Sequence, residues 1–499
     1  MRDLFREGLK LGESLAKLPW EAARRVGGGS QTLKHAADLG ERLGTLPFRA
    51  ASAMLGPDET PGGQEAGAGA AGATAGGAVT GGGAPRRQRR VVVLGAGYAG
   101  LTSFLELQEH LPRDWEVVLV NGDKYHWFTT ELHTYVAGEE PDAVRVPLSR
   151  VVARPGRLVV DRVSRVDSAA KRVELASGDA LDYDFLVFAL GSDPEYFGLP
   201  GVAEHSLVVG NWQGATHLRN RIAGMLQHSG GEPLNVVVAG GGLTGVEVAG
   251  ELADEYGARV RLTLVEAGPD IMAGFAPELV RTAREVLEGK GIAVRAGNPI
   301  ARVDEGTITY KDGATTAFDV LVWAGGVRGS GILAGSGLDL TPRGRAKVDA
   351  FLRAANHDEV YVVGDSASFL DPGTGRELPP TAQAAVQMGR AAGLNLIHRI
   401  KGRAETPFVP NIRGAFASLG RQQGVGQMGE EQYTGVPALL IKNLIESHHA
   451  WETGGGLMPL VSRILRGPQR FLRGAAQRPA VRQAARPAGT GPRPEVRHQ

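Results

Sequence analysis

The chain contains no cysteine. That absence removes disulfides, thiolate metal ligands and any dithiol redox pair. Any electrons handled here must travel on a bound cofactor. The reading fits a cytosolic compartment. Charge of one sign is missing too. Lys and Arg number 55 against 54 Asp and Glu, a formal net charge of +1, so no global field favours nucleic acid. No run of about 18 apolar residues occurs, so no helix is expected to cross a bilayer. Arg2, Asp3, Arg6, Glu7 and Lys10 interrupt the start, and no secretory signal is expected there.

Glycine, by contrast, is abundant, at 72 of 499 residues. It has two sources: one Gly/Ala-rich stretch and several turns that open helices. The length suits two or three domains. Apolar residues at 42% and charged residues at 22% give an ordinary globular balance.

Residues 1–56 read as a helical extension with an internal repeat. Leu11-Gly12-Glu13, Leu15 and Leu18-Pro19-Trp20 return 28 positions later as Leu39-Gly40-Glu41, Leu43 and Leu46-Pro47-Phe48. The two copies fit a helix pair packed on the body, or a surface-binding element. Residues 57–88 read as a flexible linker. The body then alternates β-branched runs with helical patterns, which predicts parallel sheets and βαβ units.

The run Val91-Val92-Val93-Leu94 predicts a buried strand. Gly95-Ala96-Gly97-Tyr98-Ala99-Gly100 follows at once, and Leu101 and Leu105 continue on a helical pattern. Gly95 permits the tight turn, Gly97 lets the backbone approach a pyrophosphate, and Gly100 lets the helix pack on the strand. The helix start offers unpaired N–H groups to phosphate. In strand–turn–helix context the motif is specific.

A second copy follows. Val236-Val237-Val238-Ala239 leads into Gly240-Gly241-Gly242-Leu243-Thr244-Gly245, and the next strand ends at Glu266, 21 residues past Gly245. An acid there is placed to hold the adenosine ribose hydroxyls. With no Arg or Lys directly after it, Glu266 favours NADH over NADPH. At the first site the matching residue is Asn121, also 21 residues past the last glycine. It is expected to accept from a ribose hydroxyl without a charge. Asp182–Gly191 and Ala317–Gly326 then echo each other as closing strands, ending in glycine at Gly191 and at Gly325-Gly326.

Taken together, the chain resembles flavoproteins with two dinucleotide-binding domains, α/β in class, two Rossmann-like domains with the second inserted in the first. Four stretches are similar to type II NADH:quinone oxidoreductases: Asn121–His133, Gly245-Val246-Glu247, Pro379–Gly389 with its Ala382-Gln383 pair, and Phe416–Gly420 onward. The resemblance covers about residues 88–450. It implies FAD in the first unit and NADH as substrate in the second. It places Asp365, in Val360–Asp365, beside the flavin ribitol and phosphate. The cofactor-binding set it implies is Gly95, Gly97, Tyr98, Ala99, Gly100, Asn121, His126, Thr130, Gly191, Asp365, Ala382 and Gln383 for the flavin side, and Gly240, Gly242, Thr244, Gly245, Glu266 and Gly325 for the nucleotide side. Glu247 and Gln383 are the expected catalytic residues. Glu247 would lie near the nicotinamide–flavin contact, or simply complement a helix dipole; Gln383 would face the quinone, or be an ordinary buried amide.

No metal site is expected, because His126 and His133 lack further ligands at suitable spacing. They read as flavin-proximal or structural, and His448-His449 as surface. Lys442 interrupts an apolar stretch, Ala438–Ile445. It fits a snorkelling position at a membrane surface or the flavin pyrimidine edge. Residues 460–473 put Leu460, Val461, Ile464, Leu465, Phe471 and Leu472 opposite Arg463, Arg466, Arg470 and Arg473, the pattern of an interfacial helix on anionic lipid. A body-packed helix is the alternative.

The expected division is 89–210 and 317–410 for the FAD-binding domain, 211–316 for the NADH-binding domain, 411–473 for a membrane-associated region and 474–499 for a disordered tail. The expected function is NADH oxidation with electron transfer to quinone. It is placed peripherally on the cytoplasmic side of the cell membrane, without proton pumping; a homodimer is compatible with it. Two rivals stay open: a soluble NADH reductase serving a small electron-transfer protein, and a scaffold using residues 1–56 as an interaction arm.

Overall fold

The computed structural model describes residues 88–453. The expected helical extension, nearly all of the linker, the amphipathic helix 460–473 and the tail lie outside the described residues.

Strand β1 (Arg89–Leu94) leads through the first glycine turn into helix α1 (Tyr98–His110). Val91 to Leu94 are fully buried, as a parallel strand covered on both faces requires. Strands β2 (Trp115–Asn121), β3 (Gly156–Val160) and β4 (Phe185–Phe188) add to the same sheet. β1 pairs in parallel with both β2 and β4, Val91 opposite Val117 on one side and Phe185 on the other.

The second unit repeats this plan. It comprises β5 (Leu207–Val208), α2 (Trp212–His228), β6 (Leu234–Ala239), α3 (Leu243–Tyr256), β7 (Val260–Glu266), α4 (Pro277–Gly289), β8 (Ala293–Ala296) and β9 (Val320–Trp323). Its parallel sheet runs β5-β9-β6-β7-β8. The repeat reaches further than the glycine turns. Each unit inserts a three-stranded antiparallel meander, over residues 163–182 and 300–317, before its closing strand.

The chain then returns to the first sheet. β10 (Arg353–Ala354) and β11 (His357–Val362) complete the order β10-β11-β4-β1-β2-β3. The expected boundaries need correction here. β9 was assigned to the returning half by the division at 317, and β5 to the first half. Both pair in the second sheet: β9 lies against β6 and β5 against β9. The chain passes between units at a two-stranded ribbon, residues 192–194 against 327–329. A closing strand belongs with the strand that donates its ladder bonds, whatever follows it in sequence.

Helix α5 (Ala382–Ile400) lies on α1. Ser103 Oγ donates to the Gly389 carbonyl at 2.8 Å, and a side chain at Gly389 would collide with the Ala99 backbone. Strands β12 (Gly414–Ser418), β13 (Gly424–Met428) and β14 (Glu431–Thr434) form an antiparallel sheet, followed by α6 (Gly435–Glu452). This sheet packs on α3, with Gly250 allowing the Leu419–Gly420 backbone to approach. Trp127 stacks on Trp212 at 3.9 Å, joining the two units from the other side. Among the described residues no helix is long and apolar enough to cross a membrane.

Candidate functional site

The two glycine turns share several local features. Gly95 and Gly240 have φ of 91° and 114°, a region that disfavours any side chain. Their amides donate to the carbonyls of Val120 and Val265, each at 2.8 Å. A side chain at Gly100 or Gly245 would strike the carbonyl oxygen of Gly95 or Gly240. Gly97 and Gly242 differ: a side chain there would meet no protein atom within 4 Å. They cap α1 and α3 with extended backbone, and no side chain caps either helix start. Each turn therefore presents helix amides to open space, which suits a dinucleotide pyrophosphate.

Asn121 and Glu266 occupy matching places and share a role the sequence did not reveal. Asn121 Oδ1 accepts from Ala96 N at 2.9 Å, and its Nδ2 donates to the carbonyls of Asp123 and Tyr125. Glu266 accepts from Gly241 N and Gly268 N, both at 2.6 Å. Each thus clamps the turn preceding it. Their oxygens have lone pairs left for a ribose. Thr244 is exposed at the start of α3. Gly325 lies against the Trp323 indole, which a side chain there would meet at 2.6 Å.

Around the first turn, Tyr98 Oη and Thr130 Oγ1 share a hydrogen bond of 2.8 Å. His126 is fully buried and donates from Nδ1 to the Ala96 carbonyl at 2.7 Å. Burial lowers its pKa to about 4, so the ring is neutral and its Nε2 is an acceptor. The His449 ring lies 3.2 Å away through Nε2 and tilts over Tyr98 at 4.6 Å. That corrects the surface placement expected for His449. Its side chain faces inward from α6 and is half-buried against the first turn.

Across the sheet ends, Asp365 accepts from Ser192 Oγ at 2.9 Å, and Ser366 Oγ donates to the Gly191 carbonyl at 2.7 Å. Burial raises the Asp365 carboxyl. Thr381 caps α5 by accepting from Ala384 N at 3.2 Å. Ala382 and Gln383 are half-buried in its first turn, and the Gln383 amide bonds to none of the described residues.

Glu247 is 7% exposed. Other segments supply its partners: Oε1 accepts from Ser418 N at 3.1 Å and lies 3.4 Å from Lys442 Nζ. His133 Nδ1 lies 3.9 Å from its other oxygen, while His133 Nε2 meets Ser418 Oγ at 3.2 Å. Lys442 also reaches Glu131 at 2.8 Å and Glu446 at 2.7 Å. The snorkelling placement is thereby corrected, since the ammonium is 6% exposed and surrounded by carboxylates. Glu131, Glu247 and Glu446 hold its pKa far above the ordinary lysine value against the opposing effect of burial.

Outward along α3, Arg421 approaches Glu251 at 3.7 Å and pairs with Glu255. Sequence reasoning gave no role to Glu131, Glu251, Arg421 or Ser418. Each is a common residue type with no spacing signature; the one available signal was that Glu131 and Ser418 fall inside the resembling stretches. Among the described residues no three His, Cys, Asp or Glu side chains are arranged to hold a metal ion.

A profile of the family described as "Pyridine nucleotide-disulphide oxidoreductase" matches residues 89–389. Type II NADH:quinone oxidoreductases of Staphylococcus saprophyticus and Staphylococcus aureus are each 33% identical over 390 residues, covering 74% of this chain and 96% of theirs. Among solved structures, NDH2 from Plasmodium falciparum in complex with NADH aligns with a TM-score of 0.68 at 16% identity, over 77% of this chain and 98% of that one. The sulfide:quinone oxidoreductase of Aquifex aeolicus shares the fold with a TM-score of 0.60 at 18% identity, over 76% of this chain and 95% of that one.

Proposed function

Because the chain belongs to the pyridine nucleotide-disulphide oxidoreductase family, and within it to the type II NADH:quinone oxidoreductases, we propose that it oxidises NADH on bound FAD and delivers two electrons to a quinone. The observation that carries this reading is the matched pair of open glycine turns. Each stands at the start of a helix, and Asp365 and Gly191 lie at the ends of the first sheet beyond one of them. The family name mentions disulphide chemistry, but a chain without cysteine has no residues for it.

The residues fit FAD at the first turn. Gly97 and the amides opening α1 would hold the pyrophosphate, with Tyr98, Ala99, Asn121, His126 and Thr130 shaping that end. Asp365 and Gly191 would meet the ribitol side. Bound there, FAD would supply the chemistry of accepting a hydride from NADH and passing two electrons on.

The chain's own part is orientation and charge. Gly242, Thr244 and the amides opening α3 would bind the NADH pyrophosphate, and Glu266 would take the ribose hydroxyls. Gln383 would donate from its side-chain amide to a quinone carbonyl. Glu247 would sit beside the place where hydride leaves NADH. Lys442 is held cationic next to it and would stabilise negative charge that accumulates there. Quinone reduction needs two protons, and Glu247 is the carboxylate with both a buried cation and a histidine beside it. No helix among the described residues is long and apolar enough to cross a bilayer; the proposed quinone reduction would proceed without proton pumping. The apolar residues and arginines within 460–473, which lie outside the described residues, would hold the protein to an anionic membrane from the cytoplasmic side.

The test is an acceptor panel. Purified protein should be yellow and should oxidise NADH with menaquinone and ubiquinone analogues faster than with a protein acceptor. A folded protein that stays colourless after incubation with FAD would overturn the flavin assignment. Truncation before Leu457 should move the protein from vesicle pellet to supernatant at low salt. If it still pellets without residues 1–85 as well, the anchor lies in the body.

A further inference from the structure

Arg345 is 8% exposed and belongs to neither glycine turn. Its guanidinium makes three hydrogen bonds in three directions. Nε donates to the backbone carbonyl of Asp365 at 3.1 Å, Nη1 to Glu377 Oε1 at 2.9 Å, and Nη2 to the Leu378 carbonyl at 3.4 Å. Its own amide donates to Thr341 Oγ1 at 3.2 Å. The next residue, Ala346, pairs with Ala367 just past Asp365. A planar fork spreads its donors over three nitrogens and so spans acceptors that lie apart; the donors of a lysine radiate from a single nitrogen and cannot span these three.

The acceptors belong to two different parts of the site. Asp365 is the residue assigned to the flavin. Glu377 and Leu378 end the exposed turn 370–377, a strap folded back by Leu378 N donating to the Phe369 carbonyl at 2.9 Å and Asp371 N to the Arg376 carbonyl at 2.9 Å. Pro379 and Pro380 follow, then the Thr381 cap, then Gln383 in the first turn of α5. Two prolines transmit position stiffly, because their φ is fixed. Arg345, Asp365 and Thr381 line one cleft. Burial works against the Arg345 charge, Glu377 and Asp365 support it, and Arg343 opposes it.

We infer that Arg345 is a positioning residue that fastens the segment carrying Gln383 to the flavin-side aspartate, so that the acceptor side of the site keeps its place relative to the cofactor. The inference rests on the proposed quinone reaction for its kinetic consequence, though not for its structural one.

Three variants test it: Arg345→Gln, Arg345→Lys and Glu377→Gln, each resaturated with FAD. Three measurements are made on each: deuterium uptake of the 370–380 peptide, FAD retained after gel filtration, and the two half-reactions followed anaerobically by stopped flow. In Arg345→Gln, uptake over 370–380 should rise and FAD retention should fall. Flavin reduction by NADH should stay within about twofold of wild type, while reoxidation by menadione slows about tenfold or more, as small misplacements of a reacting group do. Glu377→Gln should slow reoxidation and raise uptake but keep its FAD. Arg345→Lys separates bridging from charge balance, for it should remain slow in reoxidation. Full recovery by lysine would overturn the inference, as would wild-type uptake and reoxidation in Arg345→Gln. Should Arg345→Gln fail to fold, Glu377→Gln with unaltered exchange and reoxidation overturns it equally. If yellow wild-type enzyme is not reoxidised by menadione, the proposed function fails, and exchange and flavin retention still decide the role of Arg345.

Discussion

Lys442 and Glu131 stand 311 positions apart in the chain and meet at 2.8 Å inside the protein. Glu131 follows Thr130, whose hydroxyl bonds Tyr98 at the head of α1. Lys442 comes from the middle of α6, the last helix described. The pair therefore ties the C-terminal helix to the first glycine turn. Glu247 joins the NADH-side helix to the same ammonium at 3.4 Å. One cation gathers three segments that carry the two nucleotide turns and the C-terminal helix.

Removing that cation should be costly. Lys442→Met leaves Glu131, Glu247 and Glu446 buried without its ammonium, a change that costs about 3–5 kcal/mol. Thermal unfolding at neutral pH should show the deficit. An unchanged melting temperature would mean that the three carboxylates do not depend on Lys442.

Glu251 gives a pH signature. Burial raises its carboxyl to about 7 against the pull of Arg421, with Asp254 and Glu131 adding to the rise and Lys442 opposing it. An unfolded glutamate titrates near about 4.3. Folding takes up a proton between those values, so this group's stability is present at low pH and lost as pH rises through about 7. Glu251→Gln removes the loss. Its urea midpoint should gain on wild type between pH 5 and pH 8. A variant that falls further behind at pH 8 would show instead that an ionised Glu251 holds Arg421.

Glu266 anchors two backbone amides as well as being placed for a ribose. Glu266→Ala should raise KM for NADH about tenfold or more, from lost charge-assisted hydrogen bonds, with a smaller effect on kcat. It should also narrow the preference for NADH over NADPH, because the carboxylate no longer repels a 2′-phosphate. Steady-state kinetics with both nucleotides checks this. Equal use of both by the wild type would refute the assignment.

The Gln383 amide, in the first turn of α5, has no hydrogen-bond partner among the described residues. Gln383→Ala should slow flavin reoxidation by quinone about tenfold, a typical cost of one well-placed hydrogen bond to a reacting oxygen. Flavin reduction by NADH should be unchanged. Equal losses in the two half-reactions would assign Gln383 to the fold.

The glycine turns were legible because their requirement is local. A positive φ at Gly95 and Gly240, and close approach at Gly100 and Gly245, can be read from a few consecutive letters. The α/β class followed from the same letters, since β-branched runs such as Val91–Val93 and Val236–Val238 are buried on both faces. The places proposed for Ala382-Gln383 and Asp365 rest on resemblance to the family, carried by short contiguous stretches.

What tertiary structure alone decided is which side chains from distant segments share an interior. Lys442 between apolar neighbours reads the same whether the apolar surroundings are lipid or protein. Only the arrival of Glu131, Glu247 and Glu446 determines that it is buried and paired. His449 is likewise placed by α6 folding back on Tyr98. Arg345 gains its three partners from segments 20 to 33 residues away. Backbone conformation is set mainly by neighbours in sequence and leaves a periodic trace there. The pairing of buried charges is set by long-range packing, which leaves none.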